Sequence, residues 1–167
     1  MRTRIAVVLL ALLAASCQPA PEPQPPEAPP PQSPPSPSAK SDFPAAQALV
    51  DAAVAAHTDL VRLTIHAVPA GETQSRIIAC NLAEKIGKPS APEDLDAMKT
   101  GTMIVLKEGA NLDVTAPIFD KRGRAIAAAG ITLRIPGGAT EEEMVEEAKT
   151  IAAALTTAIE NAAAPLW

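Results

Sequence analysis

Aromatic residues are almost missing: among 167 residues there is no tyrosine, one tryptophan and two phenylalanines. The core must therefore be filled by Ala, Ile, Leu and Val, and a surface for stacking nucleotide bases is hard to assemble. Positive charge is also short. The formal net charge is −5, and without Arg2 and Arg4 only 12 of the 14 basic residues stand against 19 acidic ones. Such a balance repels a phosphate backbone, so no nucleic acid partner is expected. The two histidines, His57 and His66, and the two cysteines, Cys17 and Cys80, form no His-x-x-x-His or Cys-x-x-Cys spacing, so no metal site is expected. Gly-x-Ser-x-Gly, a phosphate loop, a haem attachment motif and a dinucleotide fingerprint are all missing. No cofactor follows from the residues, and the chain reads as a non-enzyme. No internal repeat is present.

What is there begins with a leader. Two arginines, an apolar run from Ile5 to Leu13 and a small-residue close before Cys17 describe an export signal too short to span a bilayer. Leu13-Ala14-Ala15-Ser16-Cys17 resembles the bacterial lipoprotein signal. The resemblance implies that residues 1–16 are removed and that Cys17 is lipidated, giving a membrane anchor through its acyl chains. Ala14 departs from the larger aliphatic residue usual there, and an ordinary cleaved signal is the alternative. Gln18, a non-acidic residue after the cysteine, implies sorting to a periplasm-facing position at the outer membrane. From Pro19 to Pro37 the chain holds eleven of its eighteen prolines. Proline fixes φ and removes donors, so residues 17–41 read as an extended, disordered spacer reaching ~3.1 Å per residue.

Residues 42–164 read as one domain. Phe43-Pro44 opens a first helix, with Ser41 offering a cap; Leu49, Val50, Ala53, Val54 and Ala56 form its apolar side, and it ends near His57. Val61, Leu63, Ile65 and Ala67 alternate with Arg62, Thr64, His66 and Val68, the period of a half-buried strand. Ser75 to Cys80 is a second strand. Lys85 to Pro89 is a loop, and Ser90-Ala91-Pro92-Glu93-Asp94 is a capped start for a short helix that Gly101 stops. Thr102 to Lys107 is a third strand. Two more, across Leu112 to Ile135, are joined by Asp120-Lys121-Arg122-Gly123, which carries the residues of a hairpin turn. Thr140 and Glu143 form a capping box for a closing helix whose apolar face is Met144, Ala148, Ile151, Leu155 and Ile159. This order predicts an α+β domain: a five-stranded antiparallel sheet flanked by N- and C-terminal helices, with one sheet face covered.

Arg76-Ile77-Ile78-Ala79-Cys80-Asn81, Lys85-Ile86-Gly87-Lys88-Pro89, Asp113 to Gly123 and Ala129-Gly130-Ile131 resemble the PAS-like extracytoplasmic sensor domains called Cache domains. Ala127 stands where that family often has glycine. The resemblance covers residues 43 to 160 and implies a small-ligand pocket between the sheet and the insert joining the second and third strands. Arg62, His66, Arg76 and Lys88 would then meet a carboxylate-like metabolite through charge-assisted hydrogen bonds, beside Thr64, Asp113 and Thr115 on the polar sheet face. Thr132 and Arg134 share that face. Two alternatives stand against this: a polar face simply open to water, and an accessory lipoprotein docking on an envelope protein partner. His57 reads as a helix-end imidazole suited to the dipole. Cys80 reads as a small buried side chain, or else as a reactive or intermolecular thiol. The glutamates of the last helix read as a solvated face.

Overall fold

The structure, a computed structural model, describes residues 41–167; the leader, Cys17 and the proline-rich stretch lie outside the described residues. The order is α1 (Pro44–Ala56), β1 (Leu60–Ala67), β2 (Arg76–Cys80), a single 3-10 turn (Ala83–Lys85), α2 (Pro92–Thr100), β3 (Ile104–Glu108), β4 (Asn111–Phe119), β5 (Ala125–Arg134) and α3 (Glu141–Glu160). The predicted sequence of elements is therefore present, and the 3-10 turn in the insert is an addition. All neighbouring strands are antiparallel, in the order β2-β1-β5-β4-β3.

Local chemistry explains the joints. In the β4–β5 turn the Asp120 carboxylate accepts from the Arg122 and Arg124 amides at 2.9 and 3.0 Å, and Gly123 takes φ +74°. Thr140 and Glu143 close the capping box of α3, and Gly101 ends α2 in the left-handed region. Two caps differ from expectation. Ser41 does not cap α1; its hydroxyl accepts from Phe43 and donates to the Ile78 carbonyl, tying the entry of the helix to β2. Ser90 does not cap α2 either, because Asp94 turns back to take the Ala91 amide at 2.8 Å, leaving the serine for other partners.

Period two sorts the strands into two faces. Leu63 and Ile65 of β1, Val114, Ala116 and Ile118 of β4, and Ala127, Ala129, Ile131 and Leu133 of β5 pack in one buried cluster with Val50 of α1 and Ala148, Ile151 and Leu155 of α3. Each fully buried Ile or Leu contributes ~1.5–3 kcal/mol, so this helical side holds the fold together. The α1 contribution is narrower than expected: Ala46, Gln47 and Val50 are buried, whereas Ala56 is exposed. Gln47 is tolerated there because its amide pairs both backbone groups of Cys80, at 3.0 and 3.1 Å. Leu166 and Trp167 also pack against the cluster.

The opposite face corrects an expectation. It is covered by α2, which packs over β4 and β5, so helical structure lies on both sides of the sheet and the polar face is not open to water. Thr64, His66, Thr115 and Thr132 are each only 4–5% exposed. An antiparallel sheet shows a face to solvent only where no connection crosses it, and here the β2–β3 connection does. β3, at the sheet edge, leaves Val105 and Leu106 exposed.

Candidate functional site

Between the polar sheet face and the β2–β3 connection lies a cavity of about 300 Å³. Its origin is the register. Arg62, Thr132 and Asp113 form one row across β1, β5 and β4; Thr64, Gly130 and Thr115 form the next, and His66, Ala128 and Pro117 the third. The central strand thus offers Gly130 and Ala128 where its neighbours carry larger side chains, and the sheet is hollowed along that line. Gly130 is needed there: a Cβ would lie 2.5 Å from Thr64 Oγ1.

The floor is a connected polar array. Arg62 pairs with Asp113 at 2.9 Å, and Thr132 donates to the other carboxylate oxygen at 3.0 Å. His66 Nε2 lies 2.8 Å from Thr64 Oγ1, which lies 3.2 Å from the Gly130 carbonyl. His66 Nδ1 lies 3.1 Å from Ser90 Oγ and 3.1 Å from Asp94 Oδ2, and Ser90 also bonds Ser75 at 2.7 Å. Burial, with help from the Arg62 charge, lowers the His66 pKa to about 4. Burial raises the Asp94 carboxyl to about 6 against the opposing bond from the Ala91 amide, and the negative charges of Glu93 and Asp113 add to the rise. Both groups therefore resist ionisation.

The rim carries Lys85, Lys88 and Glu93. Among the described residues neither lysine has a side-chain hydrogen bond or ion pair. The wider grooves of 420, 470 and 640 Å³ on the described surface carry at most one charged residue each in their linings. A groove of 270 Å³ at the β4–β5 turn also carries both signs, in Asp120, Lys121, Arg122 and Glu160, but over Phe119, Ile126 and Ile159; among these described pockets, charge of both signs meets a buried polar floor in the cavity beside α2.

Of the sequence-predicted residues, Arg62, Thr64, His66, Lys88, Asp113 and Thr115 all line this cavity. Arg76 does not. On β2 it shares the side of Ile78, where its guanidinium pairs with Glu72 at 2.9 Å and lies 5.4 Å from the Phe43 ring centroid. Lys85, Ser90, Asp94 and Gly130 were missing from the predicted set. Gly130 had a readable signal, since glycine inside a strand marks a close approach. Ser90 and Asp94 were hidden because the same residue types read as helix caps.

The other candidates fall outside the cavity. His57 ends α1 and its Nδ1 lies 2.5 Å from Glu147 of α3. Cys80 is fully buried, its pKa is raised chiefly by burial, and its sulfur accepts from the Leu82 amide. Among the described residues no group of three or more His, Cys, Asp or Glu is placed to hold a metal ion.

No family model and no curated protein matches the chain. Solved structures do. The GAF domain region of a putative membrane protein from Geobacter sulfurreducens superposes with a TM-score of 0.52 at 14% identity, over 70% of this chain and 91% of that one. The A. aeolicus nlh2 GAF domain, in an inactive state, gives 0.50 at 11% identity, over 69% and 82%. The fold is thus the GAF/PAS-like one: a five-stranded antiparallel sheet with three helices.

Proposed function

We propose that this chain is an envelope lipoprotein whose PAS/GAF-like domain, of Cache type by the residues quoted above, binds a small carboxylate-like metabolite without turning it over. The carrying observation is the pair of partnerless lysines, Lys85 and Lys88, over a floor that contains the half-buried Arg62 and the buried Thr64 and Thr115. Such a site offers charge-assisted donors to an anion and hydroxyl partners to its polar substituents. Cys17 supplies the anchor, at the outer membrane facing the periplasm, and residues 17–41 the spacer. A signal passes from the occupied domain to a partner protein. The likeness to solved GAF domains supports the fold on which this reading stands.

The test is a thermal-shift titration with pyruvate, lactate, succinate and benzoate. At least one should raise the Tm of the wild type, and Lys85→Ala/Lys88→Ala should keep the unliganded stability within the range of ordinary surface changes, ~0.5 kcal/mol, while losing most of the Tm shift. No shift with any of the four, or an equal shift in the double variant, would sink the carboxylate site. For the anchor, Cys17→Ser should move the protein from the membrane to the soluble fraction and abolish its labelling by radioactive palmitate; unchanged partitioning would refute it. A second reading, docking on an envelope protein, draws on the exposed Val105 and Leu106 of the edge strand β3. It predicts that Leu106→Lys, and not the lysine pair, abolishes partner capture.

A further inference from the structure

One close approach at His66 is not a hydrogen bond. Nε2 to Thr64 Oγ1 at 2.8 Å and Thr64 Oγ1 to the Gly130 carbonyl at 3.2 Å are hydrogen bonds, whereas Asp94 Oδ2 stands 3.1 Å from Nδ1 at ion-pair distance. A neutral imidazole brings one hydrogen and the threonine hydroxyl another. If the ring carries its hydrogen on Nε2, Thr64 can serve Gly130 and Ser90 can donate to Nδ1, but an ionised Asp94 then faces a bare ring nitrogen. If the ring carries it on Nδ1, Thr64 must turn its hydroxyl to Nε2 and Gly130 loses its donor. One further proton, shared by the Asp94 carboxyl and the imidazole, relieves the approach of carboxylate to ring nitrogen and leaves the hydrogen bonds in place.

The same proton decides the charge of the cavity. Its lining holds three fixed cations, Arg62, Lys85 and Lys88, and three carboxylates, Glu93, Asp94 and Asp113. With Asp94 ionised and His66 neutral these cancel; with one proton added the site is positive. The groups facing Asp94 are Arg62 and His66 from β1, Asp113 from β4, Lys85 and Lys88 from the connection before α2, and Glu93 from α2 itself. β5 presents only Gly130 and Thr132 there, neither of which titrates in water.

We infer that the cavity binds its anionic ligand together with one proton, held at the His66–Asp94 pair, so that occupancy reports anion and acidity jointly. This rests on the carboxylate site proposed above and adds to it the coupling. An anion a few ångströms from Asp94 repels its ionised form, and a protonated Asp94 removes that repulsion while easing its own approach to His66 Nδ1. Burial raises Asp94 to about 6, so protonation lies within reach of mild acid.

The test uses the full chain and two probes that stay fully ionised across the range, pyruvate and methanesulfonate. Calorimetry near pH 5.5 and near pH 8 should show affinity falling roughly tenfold or more as pH rises, with uptake of about one proton per ligand near neutrality, counted by repeating the titration in buffers of different ionisation enthalpy. Asp94→Asn should bind at both pH values with the affinity of the wild type near pH 5.5. The proton count is made on the wild type and so does not depend on the variant folding. Equal affinity at both pH values with no proton uptake overturns the coupling and leaves the anion site standing. No binding of either probe at either pH overturns both. Persistent pH dependence in a folded Asp94→Asn protein places the proton elsewhere and also overturns the inference.

Discussion

Along β5, Ile131 and Leu133 enter the helical side of the sheet, while Gly130 and Thr132, their immediate neighbours, enter the side covered by α2. The backbone is shared and both sides are buried, yet one is filled with apolar side chains and the other is a polar hollow. The helical side is closed by twenty-residue α3 and by α1, whose apolar faces meet the sheet continuously. The other side is closed by nine-residue α2 and a loop, too short to bring enough side chains to fill the space above Gly130. Stability therefore resides on one side and recognition chemistry on the other. A buried polar array offsets its own desolvation only through its hydrogen bonds, whereas the apolar side gains with every methylene.

Adjacent substitutions on β5 set the two sides against each other. Ile131→Ala, fully buried in the helical cluster, should cost ~2–5 kcal/mol in chemical denaturation while leaving the slope of carboxylate binding against pH unchanged. Gly130→Ala should cost less, ~1–3 kcal/mol, because the new methyl clashes with one short side chain, the Thr64 hydroxyl at 2.5 Å, and meets His66 Nε2 at an ordinary 3.6 Å. It should nonetheless do the greater damage to binding, by turning Thr64 away from His66. If Gly130→Ala left binding intact, the row Thr64, Gly130, Thr115 would not be part of the site; if Ile131→Ala were harmless, the helical side would not be the source of stability.

How much of this contrast could be read from residues alone follows the same division. The alternation of Arg62, Thr64 and His66 with Leu63 and Ile65 was legible, as was the match of Asp113 and Thr115 to the same face, because strand period needs no tertiary information. Helix α3 was legible from its capping box and apolar stripe. The cover over the polar face was not. Ala91-Pro92-Glu93-Asp94 encodes a helix start equally well whether the helix lies in solvent or on the sheet, so Asp94 read as a cap and its second partner, His66, stayed invisible. Arg76 was misplaced for a related reason: on β2 one residue decides the face, and an arginine among Ile77, Ile78 and Ala79 does not declare which side carries it. The fit of Gln47 to the end of β2 likewise depends on a pairing between residues 33 positions apart.

The smallest effect, and the most diagnostic, concerns stability against pH. In the folded chain Asp94 titrates at about 6 and His66 at about 4, whereas the unperturbed groups titrate at 3.8 and 6.5. Folded and unfolded states therefore each hold about one proton on the pair across the window between roughly pH 4 and 6, and the two contributions nearly cancel in the wild type. Removing either partner exposes the other. Asp94→Asn leaves a histidine of lowered pKa, whose contribution is complete above 6.5 and is lost as pH falls toward 4, so this variant should lose Tm on acidification. His66→Asn leaves a carboxyl of raised pKa, whose contribution is complete below 3.8 and is lost as pH rises through about 6, so this variant should lose Tm in the opposite direction. Each slope should amount to no more than ~3 kcal/mol over the window, with the other titrating groups of the chain common to both proteins. Opposite slopes from two residues 3.1 Å apart would mark both as buried on the polar side of the sheet; parallel slopes in the two variants would mean that the pair is solvated and that the hollow is not distinct from surface.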